Sequence, residues 1–448
     1  MTQRHHDERG LVTLGKGVRS TGERAGDWRP APRSKLEEPV SAPDLAPVRP
    51  GRALLLENIH ADARTLLSEA GWEVDTVSGA LDEAELVARL EGVSLLGIRS
   101  QTQVSAKVLE AATDLRAVGA FCIGTNQIDL FAAAVQGVAV FNAPYSNTRS
   151  VVELALAEII ALTRRLTVKD RAMHDGVWDK SAAGSHEVRG RRLGIVGYGN
   201  IGSQLSVVAE ALGLSVFFYD TTDKLALGNA RRCGSLHELL EIADVVTLHV
   251  DGRRSNTGFF GEAEFSRMRP GSIFLNLSRG FVVDDEALAR HIRSGHIAGA
   301  ALDVFPTEPK GSGQSFDSVL RGLPNVILTP HVAGSTEEAQ EDIGRFVAAK
   351  MRDYALHGAT ALSVNLPTLD TETTPGTVRL AHLHRNVPGV LAAINKVLAD
   401  AGVNIEGQQL ATRGDLGYVV TDIAAHASEE VGRRLRELPE TVRVRQLG

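Results

Sequence analysis

Short apolar runs alternate with amphipathic stretches along most of this chain, the pattern of strands buried on both faces with helices packed over them. In a first set, Ala53 to Glu57, Trp72 to Val77, Leu95 to Thr102, Leu115 to Phe121 and Val138 to Phe141 read as strands, with helices over Asp62 to Ala70 and Leu81 to Leu90. A turn from Asn142 to Arg149 leads into a long helix, Val151 to Arg165. A second set starts at Leu193 and adds strands at Leu214 to Asp220, Asp244 to Val250, Ser272 to Leu277, Gly299 to Asp303 and Val326 to Thr329. Its helices are Ser235 to Ile242, Glu262 to Met268 and Asp284 to Ser294. A helix from Thr336 to Tyr354 is long enough to cross back to the first set, and Leu362 to Thr374 reads as a linker. The last stretch runs strand, helix, strand, hairpin near Gly414, strand, helix, strand, a β-α-β-β-α-β order of ferredoxin type.

The fold class expected is therefore α/β: two doubly wound parallel-sheet domains, one flavodoxin-like and one Rossmann, followed by a smaller ferredoxin-like domain. The boundaries expected are 52–146 with 334–370 for the first, 147–333 for the second and 376–448 for the third. Residues 1–51 are rich in Arg, Pro, Gly and acids without apolar periodicity, and read as a disordered extension. Asp7, Glu8, Glu23, Asp27, Glu37 and Glu38 argue against a transit peptide there.

With 448 residues, several cores are needed. The net charge of −7 is spread over mixed signs, so neither nucleic acid nor an anionic membrane is expected as a partner. No apolar run approaches the roughly 20 residues of a membrane span. Cys122 and Cys233 are too few for a disulfide framework or a zinc site, which fits a reducing, cytoplasmic setting with no metal.

The chemistry begins at Gly197, Gly199 and Gly202, which fall at G-x-G-x-x-G spacing between the strand ending at Val196 and the helix that follows. Residues Gly197, Tyr198, Gly199, Asn200, Ile201 and Gly202 then form a loop whose backbone can meet a pyrophosphate at a helix N-terminus. Asp220, ending the next strand, suits the adenosine ribose of NAD and repels a 2′-phosphate. Three further groups sit at strand ends of the same set: Arg279, Glu308 and His331. His331 suits a general base for a hydroxyl, Glu308 its stabilising partner, and Arg279 a bidentate ligand for a carboxylate. Asp303 either accepts from the nicotinamide carboxamide or caps a turn. Arg99 and Ser100 end a strand of the first set, on the edge where such sheets bind ligands.

The segments Gly197 to Gly202, Asn276 to Gly280, Ala300 to Pro309 and Leu328 to Val332 resemble the signatures of the D-isomer-specific 2-hydroxyacid dehydrogenases. Phe121 to Asn126, Phe141 to Arg149 and an ACT-like terminal domain are similar to the branch that acts on 3-phosphoglycerate. The resemblance implies NAD as cofactor, His331 as acid/base, Glu308 as its partner and Arg279 as ligand of the substrate carboxylate and C2 oxygen. It further implies that Arg99, Ser100, Asn147 and Lys180 shape the substrate pocket and that Trp178 packs across a dimer interface. The implied reaction converts 3-phosphoglycerate to 3-phosphohydroxypyruvate, the first step of L-serine biosynthesis, in a homotetramer. His384, Asn386 and Asn404 match positions that bind L-serine as a feedback effector; the two asparagines also suit ordinary turns. One departure is Gln101, where the family carries arginine; a lost charge-assisted bond is worth roughly 1.5–3 kcal/mol. That keeps 2-hydroxyglutarate open as an alternative substrate, and a non-catalytic NAD(H)-sensing module as a more distant one.

Overall fold

The computed structural model describes residues 50–309, 313–370, 376–424 and 428–447, so nearly all of the expected extension lies outside the described residues. The first sheet contains β1 (Arg52–Leu55), β2 (Glu73–Thr76), β3 (Val93–Ile98), β4 (Ala117–Ala120) and β5 (Ala139–Asn142), all parallel, in the order β2-β1-β3-β4-β5. Every residue of β3 is buried, as a central parallel strand requires. Val93, Leu96 and Ile98, with Leu54 and Leu56, pack against α2 (Glu83–Arg89), α3 (Ala106–Ala111) and α4 (Leu130–Val135). Leu55 and Leu95 face the other way, toward α1 (Ala61–Glu69). The strand order reverses between β1 and β3, so Arg99 and Ser100 leave β3 at the switch point of the sheet.

After α5 (Thr148–Thr163) and α6 (Leu166–His174) the second sheet begins. It contains β6 (Arg192–Val196), β7 (Ser215–Tyr219), β8 (Arg231–Arg232), β9 (Val245–Leu248), β10 (Ser272–Asn276), β11 (Ile297–Leu302) and β12 (Val326–Leu328). Their order is β12-β11-β10-β9-β6-β7-β8, again parallel, and the reversal lies between β6 and β9. The covering helices are α7 (Asn200–Ala211), α8 (Leu236–Ile242), α9 (Glu262–Arg267) and α10 (Asp285–Arg293). The caps agree with the sequence: Ser235 and Asp284 accept from the N–H groups of Glu238 and Ala287 at the starts of α8 and α10.

α11 (Glu337–His357) then returns to the first sheet, packing on α1 and β4. Thr336 caps it through the Ala339 N–H, and Gly358, at φ 74, ends it in the left-handed conformation that favours glycine. The third sheet follows, with β13 (Val378–Arg385), α12 (Val390–Asp400), β14 (Ile405–Arg413), β15 (Leu416–Ile423), α13 (Ser428–Arg436) and β16 (Thr441–Leu447). It is antiparallel in the order β14-β15-β13-β16, the expected ferredoxin-like arrangement. One face carries α12 and α13 over Leu380, Val419 and Val444. The opposite face, with Ala381, Leu383, Tyr418 and Val420, shares a core with Tyr354, Ala355 and Leu366. Polar contacts fix that junction: the Tyr418 hydroxyl donates 2.8 Å to the Gly358 carbonyl, and Arg443 donates 2.7 Å to that of Leu115.

Three differences from the sequence reading have physical causes. The short helices α3 and α4 carry too few turns for periodicity to show, and α6 buries no residue and so has no apolar stripe. The helix expected from Val151 starts at Thr148, within the expected turn, where Thr148 and Val151 are both buried and extend its apolar face.

Candidate active site

Elements of the second sheet assemble the cofactor loop. Gly197, at φ 93, turns the chain out of β6, and Gly202 lies one turn into α7. A Cβ on Gly202 would stand 2.3 Å from the Gly197 carbonyl, so strand and helix approach this closely only without one. A Cβ on Gly199 would meet nothing within 4 Å, which leaves open space at the N-terminus of α7. Tyr198 points inward, its hydroxyl 2.6 Å from Ser206 and its ring stacked on Phe218. Asp220 accepts from the Tyr198 N–H and from the N–H and hydroxyl of Thr222. Burial opposes its charge, but these donors hold the carboxyl below the ordinary aspartate range. An open helix N-terminus, a bare glycine backbone and an ionised carboxylate at the next strand end fit a dinucleotide with a free ribose 2′-hydroxyl.

His331 stands just beyond β12 with φ 55, in a left-handed turn unusual for a non-glycine residue. Asp303, fully buried after β11, holds that turn in place: it accepts from the Thr329 hydroxyl at 2.6 Å and from the N–H groups of Val332 and Ala333 at 2.8 and 2.9 Å. Of the two readings open for Asp303, turn capping is the one these contacts describe. Nδ1 of His331 is 2.8 Å from Oε2 of Glu308, whose Oε1 accepts from the Phe305 N–H at 3.0 Å. The Glu308 hydrogen bond raises the His331 pKa above the usual imidazole value, with burial opposing. Burial would raise Glu308 as well, yet the His331 bond, the Phe305 N–H and the nearby charge of Arg279 hold it below its ordinary value. Arg279 follows β10, half-buried, with Nη1 donating 2.6 Å to the Ser278 carbonyl. Its neighbour Gly280 is forced: a Cβ there would lie 1.9 Å from the Phe305 carbonyl carbon, and this contact seats Arg279 beside the segment carrying Glu308.

Arg279, Glu308 and His331 line one cavity of about 1010 Å³ together with Arg99, Ser100, Gln101, Asn147 and Cys122. Lys180 does not line it. That residue lies on an exposed segment, with Nζ 5.7 Å from the ring centroid of Trp178, itself 71% exposed. In the third sheet His384 is buried, Nδ1 against the Arg385 carbonyl and Nε2 without a partner, and burial lowers its pKa. Asn386 and Asn404 are exposed and donate to the Gly414 carbonyl and to Glu406. Two residues that brace the cavity loop of residues 99–102 gave no signal in the sequence. Glu57 accepts three backbone N–H groups from residues 99–102, and Gln127 donates to the Arg99 carbonyl. Among the described residues no group of side chains is arranged to hold a metal ion, and no helix is long and apolar enough to cross a membrane.

Residues 156–333 match the model of the D-isomer specific 2-hydroxyacid dehydrogenase NAD binding domain, and residues 380–443 match that of the AHAS small subunit-like ACT domain. A D-3-phosphoglycerate dehydrogenase of Haemophilus influenzae is 48% identical over 395 residues, covering 88% of this chain and 96% of that protein. One from Escherichia coli K12 is 47% identical over 397 residues, covering 88% and 97%. Among solved structures, D-2-hydroxyisocaproate dehydrogenase superposes with a TM-score of 0.65 at 25% identity, over 70% of this chain and 99% of the other.

Proposed function

The chain belongs to the D-isomer-specific 2-hydroxyacid dehydrogenases, among the D-3-phosphoglycerate dehydrogenases, and from that premise we propose how its cavity works. The reaction is the NAD-dependent oxidation of 3-phosphoglycerate to 3-phosphohydroxypyruvate, the first step of serine biosynthesis. NAD, when bound, accepts the hydride from C2. The remaining work falls to the chain's own residues. His331 takes the C2 hydroxyl proton on Nε2, the nitrogen not occupied by Glu308, and the Glu308 carboxylate stabilises the imidazolium so formed. Arg279 pairs with the substrate carboxylate and C2 oxygen, fixing C2 against the cofactor. Arg99, Ser100 and Asn147 receive the distal end. Gly197 to Gly202 and Asp220 hold the dinucleotide, with Asp303 braced beside it.

The observation that carries this reading is the convergence of base, carboxylate partner and arginine on one cavity, at strand ends of the sheet that also carries the glycine loop. The test is NADH formation from NAD with 3-phosphoglycerate or 2-hydroxyglutarate supplied in parallel. Preference for 2-hydroxyglutarate would move the assignment to the alternative opened by Gln101. Replacing His331 with Ala should abolish turnover while NADH still binds; a sensing module would lose nothing.

Three finer points belong to the same proposal. The domains divide at 52–146 with 334–370, 147–333 and 376–448, and the protein works in the cytoplasm as a homotetramer. Exposed Trp178 meets a second copy, which accounts for an apolar ring left in water. The terminal domain binds L-serine through His384, Asn386 and Asn404 and lowers activity. A calorimetric titration without serine binding removes that last point.

A further inference from the structure

One residue beyond β1 the backbone takes two consecutive left-handed residues, Glu57 at φ 60 and Asn58 at φ 53, a conformation L side chains avoid unless their surroundings impose it. The turn leaves the Glu57 side chain 7% exposed, below the loop that leaves β3. There Oε1 accepts from the N–H groups of Arg99 at 3.2 Å and Thr102 at 2.9 Å, and Oε2 from that of Gln101 at 3.0 Å. The other side of the loop is held at the Arg99 carbonyl, which accepts from Gln127 and lies 3.6 Å from the Cys122 sulfur. Ser100 is the exception. Among the described residues neither its N–H nor its hydroxyl has a partner, and it lines the cavity with Arg99, whose guanidinium is also unpaired.

We infer that Glu57 is a positioning residue for substrate selection: by gathering the N–H groups of Arg99, Gln101 and Thr102, it leaves the Ser100 N–H and hydroxyl, beside Arg99, turned to the cavity as a cradle for the substrate's terminal anionic group. A carboxylate is suited to this because it is acceptor-only, with room for several N–H bonds in divergent directions. Three peptide dipoles also neutralise its charge, so it does not repel an anion on the far side of the loop. The cradle offers one cation and two fixed donors, which explains how a loop with Gln101 serves a doubly charged phosphate. The inference rests on 3-phosphoglycerate being the substrate.

The test is Glu57→Gln, which keeps the shape but replaces one acceptor oxygen with a donor facing an N–H. The KM for 3-phosphoglycerate should rise tenfold or more, a larger change than in kcat. Specificity for 3-phosphohydroxypyruvate over hydroxypyruvate, measured as the ratio of kcat/KM in the reverse direction, should fall at least fivefold. Restoring a full carboxylate at slightly shorter reach, Glu57→Asp, should recover part of both. If both substrates lose equally, or neither loses, the inference is overturned. In wild-type protein, hydrogen exchange resolved to single residues gives an answer that no folding defect can obscure. The Arg99, Gln101 and Thr102 amides should be protected without substrate, and that of Ser100 only when 3-phosphoglycerate is added. Slow exchange at Ser100 without substrate would equally overturn it. Failure of the underlying reading would look different, since wild-type protein would then not oxidise 3-phosphoglycerate at all.

Discussion

Glu308→Gln is the substitution whose outcome the geometry fixes most closely. Oε1 of residue 308 is held by the Phe305 N–H, so the new amide keeps its oxygen there and presents its NH₂ to Nδ1 of His331. An NH₂ at that position donates, which makes Nδ1 an acceptor and places the ring proton on Nε2, the nitrogen that must be free to act as a base. Two effects follow. Loss of the charged acceptor removes a bond of roughly 1.5–3 kcal/mol, toward the lower end with the His331 side chain 51% exposed, and lowers the His331 pKa. Loss of the correct tautomer removes general-base catalysis, worth about 10²–10⁴ in rate. The assay is kcat/KM for oxidation across pH 5.5–9.5 with NADH binding followed in parallel. In the wild type the oxidation rate should fall as pH drops through the raised His331 pKa, because the base must be neutral, and the reverse reaction should show the opposite sign. In the variant the acidic limb should move to lower pH and the plateau drop by at least about a hundredfold, with NADH affinity intact. A plateau within threefold of wild type, or an unmoved limb, is incompatible with Glu308 fixing the tautomer and charge of His331.

Other perturbations have equally definite outcomes. Gly202→Ala sets a methyl group 2.3 Å from the Gly197 carbonyl and should cost about 1–3 kcal/mol in thermal unfolding while weakening NADH binding in a fluorescence titration. Asp220→Ser removes the ribose acceptor and the charge that rejects a 2′-phosphate; the ratio of KM for NADP to KM for NAD should fall tenfold or more. Burial pushes His249 down to about 4 and His382 to about 3, below the ordinary imidazole value near 6.5. Because the unfolded chain takes up protons the folded chain refuses, this stability is whole above about pH 6.5 and is lost progressively toward pH 3–4. Each histidine should cost about 2 kcal/mol between pH 7 and pH 5, and urea midpoints that do not move over that range would exclude it.

The alternation of apolar runs was enough to find the strands because both sheets are parallel and covered on both faces, so β3 and β10 are buried at every position and rich in Val, Ile, Leu and Phe. The glycine loop was legible for a related reason: Gly197 and Gly202 answer to backbone contacts that no other residue permits. Long-range partners were less accessible. Nothing near Glu57 in the chain points to residues 99–102, since that contact exists only once β1 and β3 lie side by side. Asp303 was left between two roles for the same cause, its donors lying beyond the next strand. Lys180 was placed by resemblance, and within one chain nothing carries it to the cavity.

The left-handed turn at His331 sets two selective pressures against each other. Glycine would adopt φ 55 without strain, whereas an L side chain costs about 1–2 kcal/mol there. Against this, removing the imidazole takes away the 2.8 Å bond to Glu308 and leaves a half-buried carboxylate without that partner, a cost of similar size. A lineage drifting without demand for the product would therefore meet little resistance from the fold to glycine at this position and would arrive at an inert protein about as stable as its ancestor.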